Sequence, residues 1–354
     1  MAESYVIGVD FGSDSVRALI VNTETGENVG QGVACYPRWK AGLYQHPEHS
    51  IFRQHPLDYL ESLEKCITTA LAELTEEQKD HVIGIGVDTT GSTPVPVDKN
   101  GIPLALLDEF AENENAMFFL WKDHAAAAEA DEINKLFRNN SENDYTKYQG
   151  DYSAEWYWAK ILYAVRHDEA IRQAAYTWEE HCDWMTGILC GETRPEKIYH
   201  SACAAGHKAL WHSEWNGLPA ASVLEQLDPY LVQVRERYGN APQPSTVKVG
   251  TLCPEWAKKL GLKESTVISG SSFDAHAGAV GAGIQKKTFV CTMGTSCVDM
   301  FVEKPENLKG KDIQAYCGQA ENSILPGYVG VETGQAAFGD IFAWFKRLLE
   351  WPLA

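Results

Sequence analysis

Tyr5-Val-Ile-Gly-Val-Asp10-Phe-Gly-Ser-Asp-Ser-Val-Arg17 decides how this chain is read. The apolar run Tyr5 to Val9 is a short strand that closes on Asp10, and Phe11-Gly12-Ser13-Asp14 is turn chemistry. Val16 to Val21 returns as a second strand, Thr23-Glu24-Thr25-Gly26 turns again, and Val29 to Ala34 is a third strand. Pro56 to Leu74 reads as a helix: Pro56 sits in its first turn, and Leu57, Leu60, Leu63, Ile67, Leu71 and Leu74 recur near the helical period. His81 to Val87 is then a buried-type strand ending at Asp88. Three strands, a helix and a strand make an α/β opening, without the alternation of a doubly wound fold.

From Met117 to Ala170 the pattern predicts helix, rich in Trp and Tyr. Trp158, Ile161, Leu162 and Val165 form one apolar stripe. Trp178, His181, Cys182, Met185, Ile188 and Leu189 form another, closed by Gly191, and both read as core packing. Strands are expected at Thr266 to Ser269, Phe289 to Met293, Val298 to Val302 and Tyr328 to Val331. Ala336 to Leu349 reads as a helix with Phe338, Ile341, Phe342, Phe345 and Leu349 on one face. Beyond about Lys286 there is too little chain to cover both faces of a sheet. That helix is therefore expected to be exposed and to promote a homodimer or other self-association.

The bulk numbers narrow the classes. A chain of 354 residues suggests two domains, at roughly 100–200 residues each. A net charge of −19 repels phosphate backbones and anionic membranes, so neither nucleic acid nor membrane is an expected partner. The start has no basic, then apolar, leader pattern, and no apolar run approaches the roughly 18 residues that a membrane span needs. Nine scattered cysteines without a Cys-x-x-Cys pair point to reduced thiols and a cytoplasmic location.

Several segments offer chemistry. Asp10, at a strand end, is suited to a hydrated magnesium ion, and the amides and hydroxyls after Gly12 to phosphate oxygens. Gly294-Thr295-Ser296 repeats the strand–glycine–hydroxyl arrangement, and two such turns can clamp a triphosphate. Neither a Walker A sequence nor a Gly-x-Gly-x-x-Gly fingerprint occurs. Asp88-Thr-Thr-Gly-Ser-Thr93 is a second acidic strand end, followed by Val95 and Pro96 as a pocket wall. Lys208, in Gly206-His-Lys208, is either a surface lysine or a cationic hook for a sugar hydroxyl or phosphate. Asp274, in Ser272-Phe-Asp-Ala-His276, sits where a strand gives way to a helix; it suits a proton-accepting carboxylate or, more plainly, a helix N-cap. His200, His207, His212 and His276 are conceivable metal ligands, but no pair has a recognised spacing, and core or surface histidines are the adopted reading.

Together these segments resemble the FGGY carbohydrate kinases, members of the actin-like ATPase superfamily with ribonuclease H-like domains. Tyr5–Arg17 resembles the family's first phosphate motif, Ile83-Gly-Ile-Gly-Val-Asp88 its connecting strand and Met293-Gly-Thr-Ser296 its second phosphate motif. Gly86–Pro94, Phe110–Asn113 with Leu120–His124, and Gly206–Lys208 resemble the members that act on L-ribulose; Gly250–Trp256 and Cys317-Gly-Gln319 agree. The resemblance implies an α/β, ribonuclease H-like domain with helical insertions over residues 1–284, which binds the sugar. Residues 285–354 would then open a second such domain, which binds ATP and which family members continue beyond this point. It implies ATP and Mg2+ as cofactors, and transfer of phosphate from ATP to L-ribulose to give L-ribulose 5-phosphate. Asp274 would be the general base. Lys208 and Glu332 would hold sugar hydroxyls, with the backbone of Val95 and Pro96 lining the pocket. Asp10 would organise magnesium, and Gly12, Ser13, Arg17, Gly294 and Thr295 would contact phosphates. A kinase for another ketopentose or pentitol (D-ribulose, ribitol, xylulose) and a non-catalytic sugar-binding fragment stay open. An actin-like assembly ATPase and a two-carboxylate glycosidase fit the motif set less well.

Overall fold

The computed structural model describes residues 3–294, 297–309, 311, 318–335 and 338–351. The opening meander forms as its alternation predicts: β1 (Tyr5–Phe11), β2 (Ser15–Asn22) and β3 (Asn28–Cys35) pair antiparallel, with Asp10 opposite Arg17. Tyr5, Ile7, Val9 and Phe11 all face the core. Helix α1 (Pro56–Leu71) covers that face, with the His55 ring accepting from the Leu57 amide and Pro56 at its first position. It ends short of Leu74, because Thr75 caps the next short helix through a reciprocal exchange with Gln78. Gly30 and Gly32 let α1 lie directly on β3. A Cβ at Gly32 would stand 2.1 Å from the Cys66 carbonyl oxygen.

Strand β4 (Val82–Thr89) joins β1 in parallel and sets Asp88 level with Asp10. Strand β5 (Pro94–Val97) leaves this sheet and pairs with β6 (Thr177–Glu180), with Pro96 opposite Trp178. Trp178 is therefore a strand residue. The helical stripe expected from it starts only at α4 (His181–Cys190), which is buried on almost every side and closed by Gly191 at φ 72°.

The predicted long helix over 117–170 is two helices, which the numbering here takes as α2 (Ala127–Arg138) and α3 (Tyr157–His167) ahead of α4. The stretch between them is irregular, because Asn and Asp side chains there bond local amides in place of the helical ladder. Asn140 Oδ1 accepts from the Glu142 and Asn143 amides at 3.0 Å, and Asp144 Oδ1 from the Thr146 amide at 3.0 Å. The stripe on α3 is core, as expected: Trp158, Ile161, Leu162 and Val165 are all buried.

Helix α5 (Ala202–Lys208) carries the Gly-His-Lys segment. Strand β7 (Lys248–Thr251) pairs with β8 (Val267–Ser269). Strands β8 and β9 (Ser272–Phe273) then lie end to end along β4, β8 beside Gly84 and Ile85, β9 beside Asp88 and Thr89. Helix α6 (Asp274–Gly281) starts immediately after β9. Among the described residues these strands make a seven-stranded mixed sheet in the order β7-β8-β4-β1-β2-β3, with β9 also on β4.

A four-stranded antiparallel sheet follows, in the order β10 (Val290–Met293), β11 (Cys297–Glu303), β13 (Val329–Gln335), β12 (Gly318–Glu321). The polar strand β12 is one that the pattern did not predict. Gly206 on α5 lets β12 approach, since a Cβ there would meet Ala320 Cβ at 2.5 Å. Helix α7 (Gly339–Glu350) presents Ile341, Phe342, Trp344, Phe345 and Leu349 about half-exposed or more, in agreement with the exposure expected of this segment. No described helix is long and apolar enough to cross a membrane.

The close seating of β3 on α1 makes a sharp prediction. Gly32→Ala drives a methyl group into the α1 backbone and should destabilise the protein by about 3 kcal/mol. Urea unfolding followed by circular dichroism measures this; an unchanged midpoint refutes the seating.

Candidate active site

Three carboxylates meet where strands end. Asp10 leaves β1, Asp88 leaves β4 beside it, and Asp274 opens α6, two residues beyond the Ser272 that pairs with Asp88. Burial and the neighbouring Asp10 and Asp274 carboxylates push Asp88 well above the usual range, with Arg17 acting in the opposite direction. Asp274 is pushed up to about 6, by burial first and Asp10 after it; the Ala275 amide, at 2.6 Å from Oδ1, and His276 pull the other way. Asp274 is the first helical residue of α6, whose N-cap is Phe273, so the plain N-cap reading does not hold. Arg17 Nη1 donates to Asp10 Oδ2 at 2.9 Å, from an exposed position one strand across.

The turn after β1 is held from three sides. Tyr36 Oη donates to the Gly12 carbonyl at 3.0 Å, Gln54 Nε2 to the Ser13 carbonyl at 2.6 Å, and Trp121 Nε1 to Ser13 Oγ at 2.9 Å. Gly12 needs no left-handed backbone, and a Cβ there would come no nearer than 3.4 Å to the Ser15 oxygen. Its lack of a side chain clears the approach to the turn. Gly294 follows β10 and accepts from the Gly339 amide at 3.2 Å; Thr295 lies outside the described residues.

A second cluster adjoins the first through α6. Lys208 Nζ donates to Glu332 Oε1 at 2.8 Å, and His276 Nε2 stands 3.1 Å from Glu332 Oε2. His207 Nδ1 lies 3.6 Å from Glu332 Oε1. Burial alone would raise the Glu332 carboxyl; Lys208, His207 and His276 around it hold it well below the usual range. Lys208 is nearly buried, its ammonium 5.0 Å from the Trp156 ring centroid and 6.0 Å from that of Phe273, which excludes the surface-lysine reading. Lys208 and Glu332 are thus paired across α5 and β13, and His276 on α6, two residues beyond Asp274, joins them.

Val95 and Pro96 are placed differently. The β5–β6 pairing buries both, and Val95 has no exposed surface in the core beneath the main sheet. The Val95 and Pro96 side chains therefore pack inward, behind the loop that carries Thr90 to Thr93.

Sequence reasoning missed the support behind the Thr90–Thr93 loop. Lys160 Nζ, wholly buried on α3, donates to the carbonyls of Ser92 at 2.7 Å and Leu120 at 2.8 Å. Glu180 accepts the Ser92 hydroxyl and the Thr93 amide, the latter at 2.8 Å. Burial lowers Lys160 to about 7 and raises Glu180 to about 7. Only a polar residue on an otherwise apolar stripe, Lys160 beside Ile161, could have signalled this network.

Comparison with known proteins identifies the family. The FGGY family of carbohydrate kinases, N-terminal domain, matches residues 5–281, and the C-terminal domain of that family matches residues 289–352. A ribulokinase of Vibrio parahaemolyticus is 48% identical over 99% of this chain and 62% of its own length. A ribulokinase of Shouchella clausii is 35% identical over 97% of this chain and 60% of its own. This chain thus spans about 60% of the length of the curated relatives it matches. The fold is shared with a xylulose kinase from Rhodospirillum rubrum (TM-score 0.75, 17% identity, 98% of this chain, 63% of that one). It is shared equally with Plasmodium falciparum glycerol kinase with ADP (TM-score 0.75, 14% identity, 98% of this chain, 63% of that one). With a family model over most of its length and a ribonuclease H-like architecture to match, the chain belongs to the FGGY family of carbohydrate kinases.

Proposed function

We propose that this chain carries the sugar site of an ATP-dependent kinase that converts L-ribulose to L-ribulose 5-phosphate. The observation that carries the reading is the first turn of α6: Asp274 belongs to the strand-end carboxylate cluster, and His276, two residues on, to the Lys208–Glu332 cluster. The similarity to proteins named ribulokinase supports L-ribulose over other ketopentoses and pentitols. We assign residues 1–284 to the sugar-binding domain and residues 285–354 to the opening of the ATP-binding one, in the cytoplasm.

In this reading Lys208 and Glu332 hold sugar hydroxyls as donor and acceptor, and orient the terminal hydroxyl toward Asp274. Asp274 takes the hydroxyl proton as the sugar oxygen bonds to the γ-phosphorus; the bond from that phosphorus to the β–γ bridging oxygen breaks, and ADP leaves. Arg17, Gly12 and Ser13, with Gly294 and Thr295, face the phosphates. The oxygen-only donor set of Asp10, Asp88 and Asp274 suits a hard cation. Magnesium bound there would offset phosphate charge.

Lys208→Ala should weaken L-ribulose binding at least about thirtyfold, the equivalent of roughly 2 kcal/mol for one lost partner of a buried pair. Calorimetric titration with L-ribulose checks this, and wild-type affinity in the variant refutes the sugar role.

Asp274→Asn should abolish phosphoryl transfer while leaving ketose binding measurable. The wild-type rate should rise with pH through about 6, as the base ionises. A folded-state value of about 6 against an ordinary 3.8 means that folding disfavours the ionised form, so Asp274 lowers stability above pH 6. The Asn variant should therefore melt higher than wild type at pH 8, with the advantage shrinking as pH falls toward 4. Retained turnover in the Asn variant would exclude Asp274 as the base.

A further inference from the structure

Cys203 and His207 lie four residues apart on α5, which puts both on one face of the helix. Across from them His276 projects from α6. The sulfur of Cys203 and ring nitrogens of His207 and His276 all lie within 4.8 Å of one another. All three residues are buried, at 2%, 0% and 2% exposure. The imidazole rings are 4.7 Å apart, and Glu332 closes the group, 3.1 Å from His276 Nε2 and 3.6 Å from His207 Nδ1. Among the described residues neither nitrogen of His207 has a hydrogen-bond partner, although the ring is wholly buried. Buried imidazole nitrogens are ordinarily satisfied, so a ring with neither nitrogen engaged asks for a ligand.

We propose that Cys203, His207 and His276, with Glu332 as the fourth ligand, form a binding site for a borderline-soft divalent cation, zinc above all. One thiolate, two imidazoles and one carboxylate are a zinc donor set, whereas magnesium takes oxygen and would stay with the strand-end aspartates. Zinc bonds of about 2.0–2.3 Å give tetrahedron edges of roughly 3.3–3.6 Å, so the ligand atoms have to draw in by about an ångström. The i, i+4 pair on α5 supplies two ligands from one rigid element, as in other helical zinc sites. The walls are built for close approach: a Cβ at Gly318 would fall 2.6 Å from His207 Nδ1 and 2.6 Å from Glu332 Cγ. Resting on the kinase reading above, the site has a consequence. A metal-bound Glu332 is drawn from Lys208, so zinc and L-ribulose should compete.

Cobalt titrated into the chain as a zinc surrogate should give tetrahedral visible bands and a near-ultraviolet thiolate-to-cobalt band, saturating at one ion per chain and displaced by zinc. Cys203→Ser should remove the thiolate band and weaken zinc binding by roughly tenfold or more, measured by competition with a chromogenic chelator. Cys35→Ser and Cys291→Ser, at the two exposed cysteines among the described residues, should change neither. A wild-type cobalt spectrum without a thiolate band overturns the site, even if the Cys203→Ser protein fails to fold. So does equal zinc affinity in a folded Cys203→Ser protein. The competition arm stands apart: zinc bound through Cys203 without loss of L-ribulose affinity overturns Glu332 either as the fourth ligand or as the sugar's acceptor, and Glu332→Gln, read separately for zinc and for L-ribulose affinity, decides which.

Discussion

Like charges held side by side are the constraint on which this structure turns. The parallel register of β1 and β4 sets Asp10 level with Asp88, and the seating of β9 against the end of β4 delivers Asp274 to the same place. Burial first, and then the neighbouring Asp10 and Asp274 carboxylates, raise the proton affinity of Asp88, which is why it stands far above an ordinary aspartate. The positive end of α6 offsets part of the repulsion at Asp274, and Arg17 part of it at Asp10. What is left over is a demand for a cation and a readiness to accept a proton. Both are what the transfer of a phosphoryl group to a hydroxyl requires.

Helix α6 joins this cluster to its opposite. One end of its first turn faces the three carboxylates. His276, on the next face, leans on a single carboxylate surrounded by Lys208 and two imidazoles. The balance of charge reverses within one turn, and the reversal is sharp because the second sheet comes so close. Gly206 admits β12 to α5, and Gly318 leaves room for Glu332 and His207. Two glycines on facing elements thus fix how near a buried acid from β13 stands to a buried lysine from α5. Larger residues would separate them and leave each unneutralised, a costly arrangement in a dry interior.

What could be read from the sequence follows from which interactions are local. The β1–β2 turn, α1 and the strand that ends at Asp88 were legible because alternation, period and capping are written in adjacent residues. Asp274, Lys208 and Glu332 were legible as members of motifs. Their convergence was not, since it depends on β9 and β13 finding distant partners. Trp178 fitted a helical stripe and became a strand residue, because pairing with Pro96 outweighed the local period. The predicted helix between Arg138 and Tyr157 gave way to Asn and Asp side chains that bond the backbone directly. The β5–β6 pairing that buries the Val95 side chain joins segments distant in the chain, and no local pattern announces it. The Cys203–His207 spacing was on the page, but no spacing rule reaches from there to His276, because α6 supplies that ligand from another part of the chain.

A cluster of repelling carboxylates can persist only if the backbone beneath it cannot relax, and the opposite-charge network behind β4 provides that stiffness. Lys160 gathers carbonyls from Ser92 and Leu120, while Glu180 takes the hydroxyl of Ser92 and the amide of Thr93. The loop after Asp88 is therefore gripped through both its acceptors and its donors. Gly91 lets the same loop lie flat on the Phe273 ring, where a Cβ would come within 1.8 Å, and Phe273 immediately precedes Asp274. A displacement at Ser92 would thus be felt at two of the three aspartates through direct contact. Buried ion pairs contribute little to net stability when their desolvation is counted. Lys160 and Glu180 are better understood as holding geometry: each bonds the Ser92–Thr93 backbone or its hydroxyl, and so fixes the loop that follows Asp88.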